Sequence, residues 1–383
     1  MVAIDSYAGG DGRLSPLSTP SATRAALEAH GIGTKYTLGQ NFLVNDDVLK
    51  KIVALAEVGE DDRILEVGPG IGTLTIALLK HAAGVVAIER DPDLPAVLAD
   101  TLHPWREKFA LIEKDALDVT RDDIVSVAST MVEPGGDAGY PDRASSAANE
   151  TAQWAVSQSE DCLSESRYRV AVPQEELRPS LPSKLVANLP YAVAATVVLD
   201  YFENFPFLDS ATIMVQKEVA DRMAAAVGTK NYGAYTVKLG LYAEPAGRFA
   251  VGPGNFFPPP RVDSAVIRLN RRVPLMADGA PASPEVIAAA ALMADAAFTN
   301  RRKTIANSCK TYFSGRGPIL LGIADSSAAE GAPTIALPDG AATAERLPAI
   351  FEAAAIDPRR RGETLTQQEF LALGAALLKV AAA

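Results

Sequence analysis

Cysteine, histidine, tryptophan and long apolar runs are all scarce in this 383-residue chain, and each scarcity removes a class of protein. Two cysteines, Cys162 and Cys309, cannot form a disulfide framework and suit a reducing, cytoplasmic setting. Three isolated histidines, His30, His81 and His103, offer no Cys/His ligand spacing, so no metal site is expected. No stretch of about 18 uninterrupted apolar residues occurs, so no membrane span is expected. Residues 1–33 lack a basic start followed by an apolar core and do not read as a secretory signal. What is abundant is scattered apolar residue: 48% hydrophobic content is enough for two domains with real cores.

Basic charge is the minority sign. The 47 acidic residues against 36 basic ones give a net charge of −11, which as an average disfavours nucleic acid. The distribution matters more. Residues 121–183 hold eleven acidic and five basic residues, whereas Phe298-Thr-Asn-Arg301-Arg302-Lys303-Thr-Ile-Ala-Asn-Ser-Cys-Lys310 carries four positive charges and no acid. Arg359-Arg360-Arg361 adds a second basic cluster. Phosphate binding follows local patches, so RNA contact and an ordinary solvated helix face both stay open.

Three segments look dispensable for a core: a flexible tail over 1–35, a polar Gly/Ser/Pro-rich insertion over about 126–182, and a Gly/Ala-rich loop over about 315–342. Elsewhere strand and helix alternate. Asn45-Asp46 can cap a helix carrying Val48, Ile52 and Leu55. Strands are expected at 63–67, 85–88, 110–112, 184–187, 211–215 and 264–269, with a helix over 73–81. This alternation implies an α/β fold whose parallel, doubly wound sheet binds ligands at the carboxyl ends of its strands. From about Arg271 onward helical Ala/Leu patterns dominate. The expected division is a Rossmann-like domain over 36–272 and a smaller helical domain over 273–383.

Four features each follow a strand: Gly68-Pro-Gly70-Ile-Gly72, Glu89, Asp115 and Asn188. The glycines let the chain turn sharply and bring backbone N–H groups against a ligand. Glu89, 21 residues after Gly68, suits hydrogen bonds to ribose hydroxyls. A nicotinamide site prefers G-x-G-x-x-G, and the acidic series Glu66, Glu89 and Asp115 would repel a dinucleotide's phosphates. It suits a cation. S-adenosylmethionine, with a sulfonium, an ammonium and no phosphate, is the favoured cofactor, Glu66 attracting its ammonium end. The other reading of Glu66 is a solvated strand-end charge.

Asn188-Leu189-Pro190-Tyr191 ends the 184–187 run. A carboxamide, a stiffened backbone and an aromatic ring can hold a planar amine by its N–H groups while the ring stacks on its face. Adenine N6 is such an amine, and its lone pair stays delocalised until acceptors draw its hydrogens out of the base plane. The competing reading is a β-to-α turn with a partly buried tyrosine.

Taken in order, seven segments resemble the small-subunit (16S) rRNA adenine N6-dimethyltransferase family, the KsgA/RsmA type. They are Leu38-Gly39-Gln40-Asn41-Phe42-Leu43, Glu66-Val-Gly68-Pro-Gly70-Ile-Gly72-Thr-Leu-Thr, Asn188-Leu-Pro-Tyr191, Val215-Gln216-Lys217-Glu218-Val219-Ala220, Phe256-Phe-Pro-Pro-Pro-Arg-Val-Asp263-Ser264-Ala-Val, Phe298-x-x-Arg301-Arg302-Lys303-Thr, and Arg361-x-Glu363-Thr364-Leu365. The resemblance spans roughly 35–125, 183–312 and 345–375 and implies a class I methyltransferase domain followed by a helical RNA-binding domain. It implies cofactor contacts at Asn41, Leu43, Gly68 and Gly70, with Glu89 on the ribose, Asp115 on the adenine N6 and Asn188 facing the reacting methyl. Without it, Asn41-Phe42-Leu43 reads as a helix entry with core residues.

The implied reaction is dimethylation of N6 on two adjacent adenines in the 3′-terminal hairpin loop, with the immature 30S subunit as partner and a monomeric enzyme. The Asn188 side chain and a carbonyl near Leu189 would accept from N6, and Tyr191 would stack on the base. Phe256 would close its other face; plain core packing beside Phe257 is the alternative. Arg301, Arg302, Lys303 and Lys310, taken to lie on one helix, would bind phosphates. An Erm-type large-subunit methyltransferase shares N-[LI]-P-Y, but the F-x-x-R-R-K-T and R-x-E-T-L segments fit the small-subunit type better. Leu189 in place of a proline disfavours the [DN]-P-P-Y motif of DNA and glutamine methyltransferases. A non-catalytic assembly factor is disfavoured by intact Asn188, Tyr191 and Glu89. The acidic insertion matches nothing in the family. If it discourages nonspecific RNA binding, deleting 127–180 raises the affinity for bulk RNA in filter binding, and unchanged affinity rules that role out.

Overall fold

The computed structural model describes residues 12–32, 40–131, 181–322 and 334–381. Leu38, Gly39, Cys162 and most of the acidic insertion lie outside these residues. The main sheet has seven strands in the order β4-β3-β2-β5-β6-β9-β7. Its strands are β2 (Arg63–Val67), β3 (Gly84–Glu89), β4 (Phe109–Glu113), β5 (Lys184–Asn188), β6 (Ser210–Gln216), β7 (Ala243–Val251) and β9 (Ser264–Arg271). The pairs β2–β3, β3–β4, β2–β5 and β5–β6 are parallel. Such strands are covered on both faces and so read as continuous apolar runs rather than alternating ones. Ile64, Leu65, Val85, Val86 and Val186 are accordingly fully or almost fully buried.

Local chemistry sets the element ends. Asn45 caps the helix Asp46–Ala56, its side-chain oxygen accepting from the Asp47 and Val48 N–H groups. Thr120 and Asp123 form a reciprocal cap on Arg121–Ala128. That helix runs past Ser126, where sequence composition placed the start of the insertion, and Ala128 and Met131 are buried.

Two other expectations need correction. The tail is not structureless over 12–32. Thr19 caps a helix Pro20–Ala29, and Leu17, Ala26 and Leu27 are buried in the same core as Phe42 and Val53. Small residues on its buried face hid the amphipathic pattern. The stretch over 315–342 also contributes to a core. Strands β10 (Ile319–Gly322) and β11 (Thr334–Leu337) pair antiparallel, burying Leu321 and Leu337, and a helix Gly340–Ala353 follows. Four-residue strands in Ala/Gly-rich sequence carry too little periodicity to stand out. Strand β7 and the short strands β1 (Phe42–Leu43) and β8 (Phe256–Phe257) also had no sequence expectation.

The chain forms two compact units. The first comprises Met1–Ala194, Phe207–Val215 and Arg248–Val266; the second comprises Ala195–Pro206, Gln216–Gly247 and Ile267–Ala383. The second unit thus starts earlier than helical composition suggests, because Tyr232 and Val237 pack with Met293, Ile305 and Phe370 in its core. Among the described residues no helix is long and apolar enough to cross a membrane.

Within the second unit, the helices Pro284–Phe298 and Gln367–Ala381 meet through small residues. A Cβ on Gly374 would fall 2.6 Å from the Ala290 nitrogen and 2.7 Å from the Val286 oxygen, so the two backbones would have to part. Alanine ordinarily strengthens a helix relative to glycine. Here the sign reverses: Gly374→Ala is expected to destabilise the protein by about 1–3 kcal/mol, read by denaturant unfolding of the full chain.

Candidate active site

The carboxyl ends of four neighbouring strands line up the expected residues. Along β4-β3-β2-β5 they are Asp115, Glu89, the Gly68–Gly72 turn and Asn188. Strands so ordered stand roughly 4.8 Å apart, so residues far apart in sequence become neighbours on one rim.

Gly68 and Gly70 both adopt left-handed backbone, with φ of 70° and 61°, which side-chain-bearing residues rarely enter. Space is tight at Gly70 and leaves ordinary contact distance at Gly68. A Cβ on Gly70 would lie 3.1 Å from the Phe42 ring, and one on Gly68 would touch the Pro190 ring at 3.7 Å. The turn, the Asn41–Leu43 segment and the Asn188–Tyr191 segment therefore close around one place.

Asn188 sits at the end of β5, paired with Met214 of β6, and the Leu189 N–H donates to the Met214 carbonyl at 3.1 Å. Leu189 itself is buried. The Asn188 side-chain nitrogen donates to the Asn41 carbonyl at 3.1 Å. That bond turns the amide oxygen the other way, as an acceptor. Tyr191 is half-buried, and its hydroxyl shares a 2.6 Å hydrogen bond with the fully buried Ser264 hydroxyl. Burial raises the Tyr191 pKa despite that bond, so the phenol stays neutral.

The helix entry expected for 41–43 is instead strand β1, which pairs with β8 through Phe42↔Phe257 and Leu43↔Phe256. Asn45 and Val44 extend the link, each bonding to Asn255 at 2.8 Å. Leu43 and Phe256 are buried, 3% and 4% exposed, in the core of the first unit. Most of the Phe256 ring is thus core, as the bland reading of that residue had it.

The carboxylates differ sharply. Glu66 is no solvated strand-end charge: it is 1% exposed and its Oε2 has no hydrogen-bond partner. Burial pushes its pKa up to about 8, opposed by the Thr75 hydroxyl and helped by the Glu89 charge. Glu89 is also buried, which raises its pKa, but its Oε1 accepts the N–H groups of Arg90 and Asp91, both at 2.9 Å. Asp115 is half-exposed; Oδ2 pairs with Arg90 at 2.7 Å and Oδ1 accepts the Leu117 N–H at 3.1 Å.

Three contributors escaped the sequence reading. Gln40 anchors its segment to Asp91, two residues past Glu89, at 2.7 Å. Arg90 steers Asp115, and Ser264 holds Tyr191. Gln40 and Ser264 lay inside quoted motifs and Arg90 beside Glu89, but only their tertiary partners reveal a task.

In the second unit the basic residues do not share one helix. Arg301, Arg302 and Lys303 lie in the turn between Pro284–Phe298 and Ile305–Ser314, and Lys310 is on the latter helix. Arg302, Lys303 and Lys310 are exposed. Arg301 is tied to Glu363 at 3.0 Å and to the Thr229 carbonyl at 3.1 Å. Arg360 is likewise held by Glu369.

Residues 33–333 match the family model described as ribosomal RNA adenine dimethylase. A protein of Geobacillus sp. (strain WCH70) named ribosomal RNA small subunit methyltransferase A is 33% identical, over 95% of this chain and 98% of that protein. One of the same name from Streptomyces griseus is 34% identical, over 92% and 93%. Among solved structures, a dimethyladenosine transferase from Plasmodium falciparum aligns with TM-score 0.55 at 19% identity, covering 88% of this chain and 98% of that one. The 23S rRNA methyltransferase ErmE aligns at 0.50 and 20% identity, covering 88% and 99%. Those two structures share the class I methyltransferase fold seen here. With its glycine turn, its rim of Glu89, Asp115 and Asn188, and a match over most of its length, the chain belongs to the ribosomal RNA adenine dimethylase family.

Proposed function

We propose that this protein transfers methyl groups from S-adenosylmethionine to N6 of adenine in small-subunit ribosomal RNA, two per base, on the immature 30S particle. The single observation that carries the reading is the Asn188 amide, whose nitrogen is committed to Asn41 and whose oxygen is thereby presented as an uncharged acceptor beside the glycine turn. The relatives bearing the small-subunit name favour that substrate over the large-subunit one of ErmE, whose likeness at 20% identity concerns the fold.

The residues present fit the cofactor. The turn at Gly68 and Gly70 has left-handed backbone that disfavours a side chain, and the unpartnered Glu66 Oε2, on the strand that leads into it, is buried, a complement for a nearby ammonium. Asn41 and Leu43 would lie over the cofactor and Glu89 would accept the ribose hydroxyls. Asp115, steered by Arg90, has lone pairs left for the adenine amine, since each carboxylate oxygen can accept two bonds. When bound, S-adenosylmethionine supplies an electrophilic methyl on a sulfonium.

The remaining work is positioning and charge placement. The target adenine leaves its stack to enter the pocket. Asn188 Oδ1 and the backbone carbonyl at Leu189 accept the N6 hydrogens and draw the nitrogen lone pair out of conjugation. Tyr191, pinned by Ser264, stacks on the base, a contact worth about 1–3 kcal/mol. The Phe256–Phe257 strand, with Phe256 largely buried and Phe257 partly so, bounds the other side. After transfer the nitrogen is acidic and loses its proton to water. Neutral acceptors leave room for the monomethylated amine to bind again with its methyl turned away. Arg302, Lys303 and Lys310 supply phosphate contacts, which position RNA without reading sequence; Arg301 is partly committed to Glu363. Cys309, the cysteine among the described residues, is buried, which pushes its thiol up to about 12 and leaves it without a part in the chemistry.

The direct test supplies labelled S-adenosylmethionine with unmethylated 30S and, separately, 50S particles, and maps the product. Two adjacent dimethylated adenines near the 3′ end of the small-subunit RNA are expected; label only in 50S would overturn the reading. Asn188→Ala is expected to lower the rate about 100-fold, with the fold intact by circular dichroism.

Glu66 generates a pH prediction. Its folded pKa, near 8, lies above the ordinary carboxylate value of 4.5. The unfolded chain therefore loses this proton first as pH rises. The group's contribution is fully present below about pH 4.5 and is lost progressively up to about pH 8. Glu66→Gln, which mimics the protonated acid, is expected to lessen the fall in melting temperature between pH 5 and pH 8 relative to wild type.

A further inference from the structure

The family match begins at residue 33, yet residues 12–32 are fastened to the catalytic unit at four places. Asp46 Oδ1, at the start of the helix that follows the Asn41–Leu43 segment, accepts the N–H groups of Leu14 and Ser15 at 2.8 and 3.2 Å and the Ser18 hydroxyl at 3.4 Å. Lys80, just past the helix that leaves the glycine turn, donates to the Arg13 carbonyl at 2.9 Å. His30 meets Asp100 at 3.0 Å. The Arg24 guanidinium lies over the Phe257 ring, 5.3 Å from its centre. Leu17, Ala26 and Leu27 bury their side chains in the core that holds Phe42, Leu43 and Phe256.

Arg24 reaches the β1–β8 ladder directly, Leu17, Ala26 and Leu27 share its core, and Asp46 holds the segment to the helix that follows β1. Phe257 pairs with Phe42, and the Phe42 ring rests against Gly70 of the cofactor turn; Leu43 pairs with Phe256 in the core. Two strands of two residues each have little stability alone, so their placement depends on what covers them. We propose that residues 12–32 are a brace of the active site, with Arg24 and Asp46 as positioning residues that hold the β1–β8 ladder against the cofactor turn. The proposal rests on the methyl-transfer reading. Neither residue touches the cofactor; each acts through the ladder.

The test is titration calorimetry of S-adenosylhomocysteine into the full chain without RNA. Arg24→Met keeps the aliphatic stem and removes the cation; it is expected to weaken binding about two- to fivefold, the usual worth of an exposed cation–π contact, with an unchanged melting temperature. Arg24→Lys should restore affinity to within about twofold of wild type, since an ammonium still sits over the ring. Asp46→Ala should weaken binding and speed tryptic cleavage after Arg13 and Arg24. Lys50→Ala, which removes the ion pairs to Asp46 Oδ2 and Asp47 and leaves the Asp46 Oδ1 bonds to the 14–18 segment, should do neither. Unchanged affinity in Arg24→Met overturns the brace. Weakened RNA binding with unchanged S-adenosylhomocysteine affinity also overturns it, by making Arg24 a phosphate contact. Failure of the wild-type protein to bind S-adenosylhomocysteine would sink the functional reading itself.

Discussion

The hydrogen bond from the Asn188 amide to the Asn41 carbonyl is the constraint on which the first unit's chemistry depends. It ties the end of a central strand to the Asn41–Leu43 segment, and on the proposed reading it sets which end of the carboxamide would meet the substrate. An amide able to flip would offer N6 a donor half the time, with no power to localise its lone pair. The glycine turn helps make the bond possible, because Gly68 and Gly70 adopt left-handed backbone that side-chain-bearing residues rarely enter, and a Cβ at Gly70 would crowd the Phe42 ring at 3.1 Å.

Burial sorts the acids by task. Glu66 lies too deep to be solvated and too poorly partnered to ionise cheaply, which makes it responsive to a cation placed above it. Glu89 is nearly as deep, but backbone N–H groups support its charge, which suits a fixed acceptor for hydroxyls. Asp115 is more open and shares its charge with Arg90, so it can accept from a neutral amine without a large desolvation cost. Three carboxyls of similar chemistry thus differ because their surroundings differ.

The second unit rests on another principle. Its helices approach closely through Gly374 against Ala290 and through Gly362 against Ala297, so contact between backbones replaces large side chains. Tyr232 stitches one end, its hydroxyl donating to the Leu365 carbonyl at 2.8 Å. The basic turn after Phe298 is shaped by Arg301 bonding inward to Glu363, which leaves Arg302 and Lys303 pointing to solvent. One cation of the cluster serves the fold while its neighbours remain available to a polyanion.

Sequence by itself determined what depends on local residue type. The apolar runs at β2 to β6, the glycine turn, the cap at Asn45 and the acids and amide at strand ends were all legible, because parallel strands and turns impose strong local demands. The seven motifs carried the family. Short strands of two or four residues, the helix built on alanine and threonine, and the segments of the second unit lying between strands were not legible, since their patterns are too brief or too weakly apolar. Only the tertiary structure decided that Asn188 leans on Asn41, that Glu66 is sealed from water, that Arg301 is already engaged and that Arg24 covers Phe257. Each of these joins residues distant in the chain, and hydrogen bonds and burial act through space rather than along sequence.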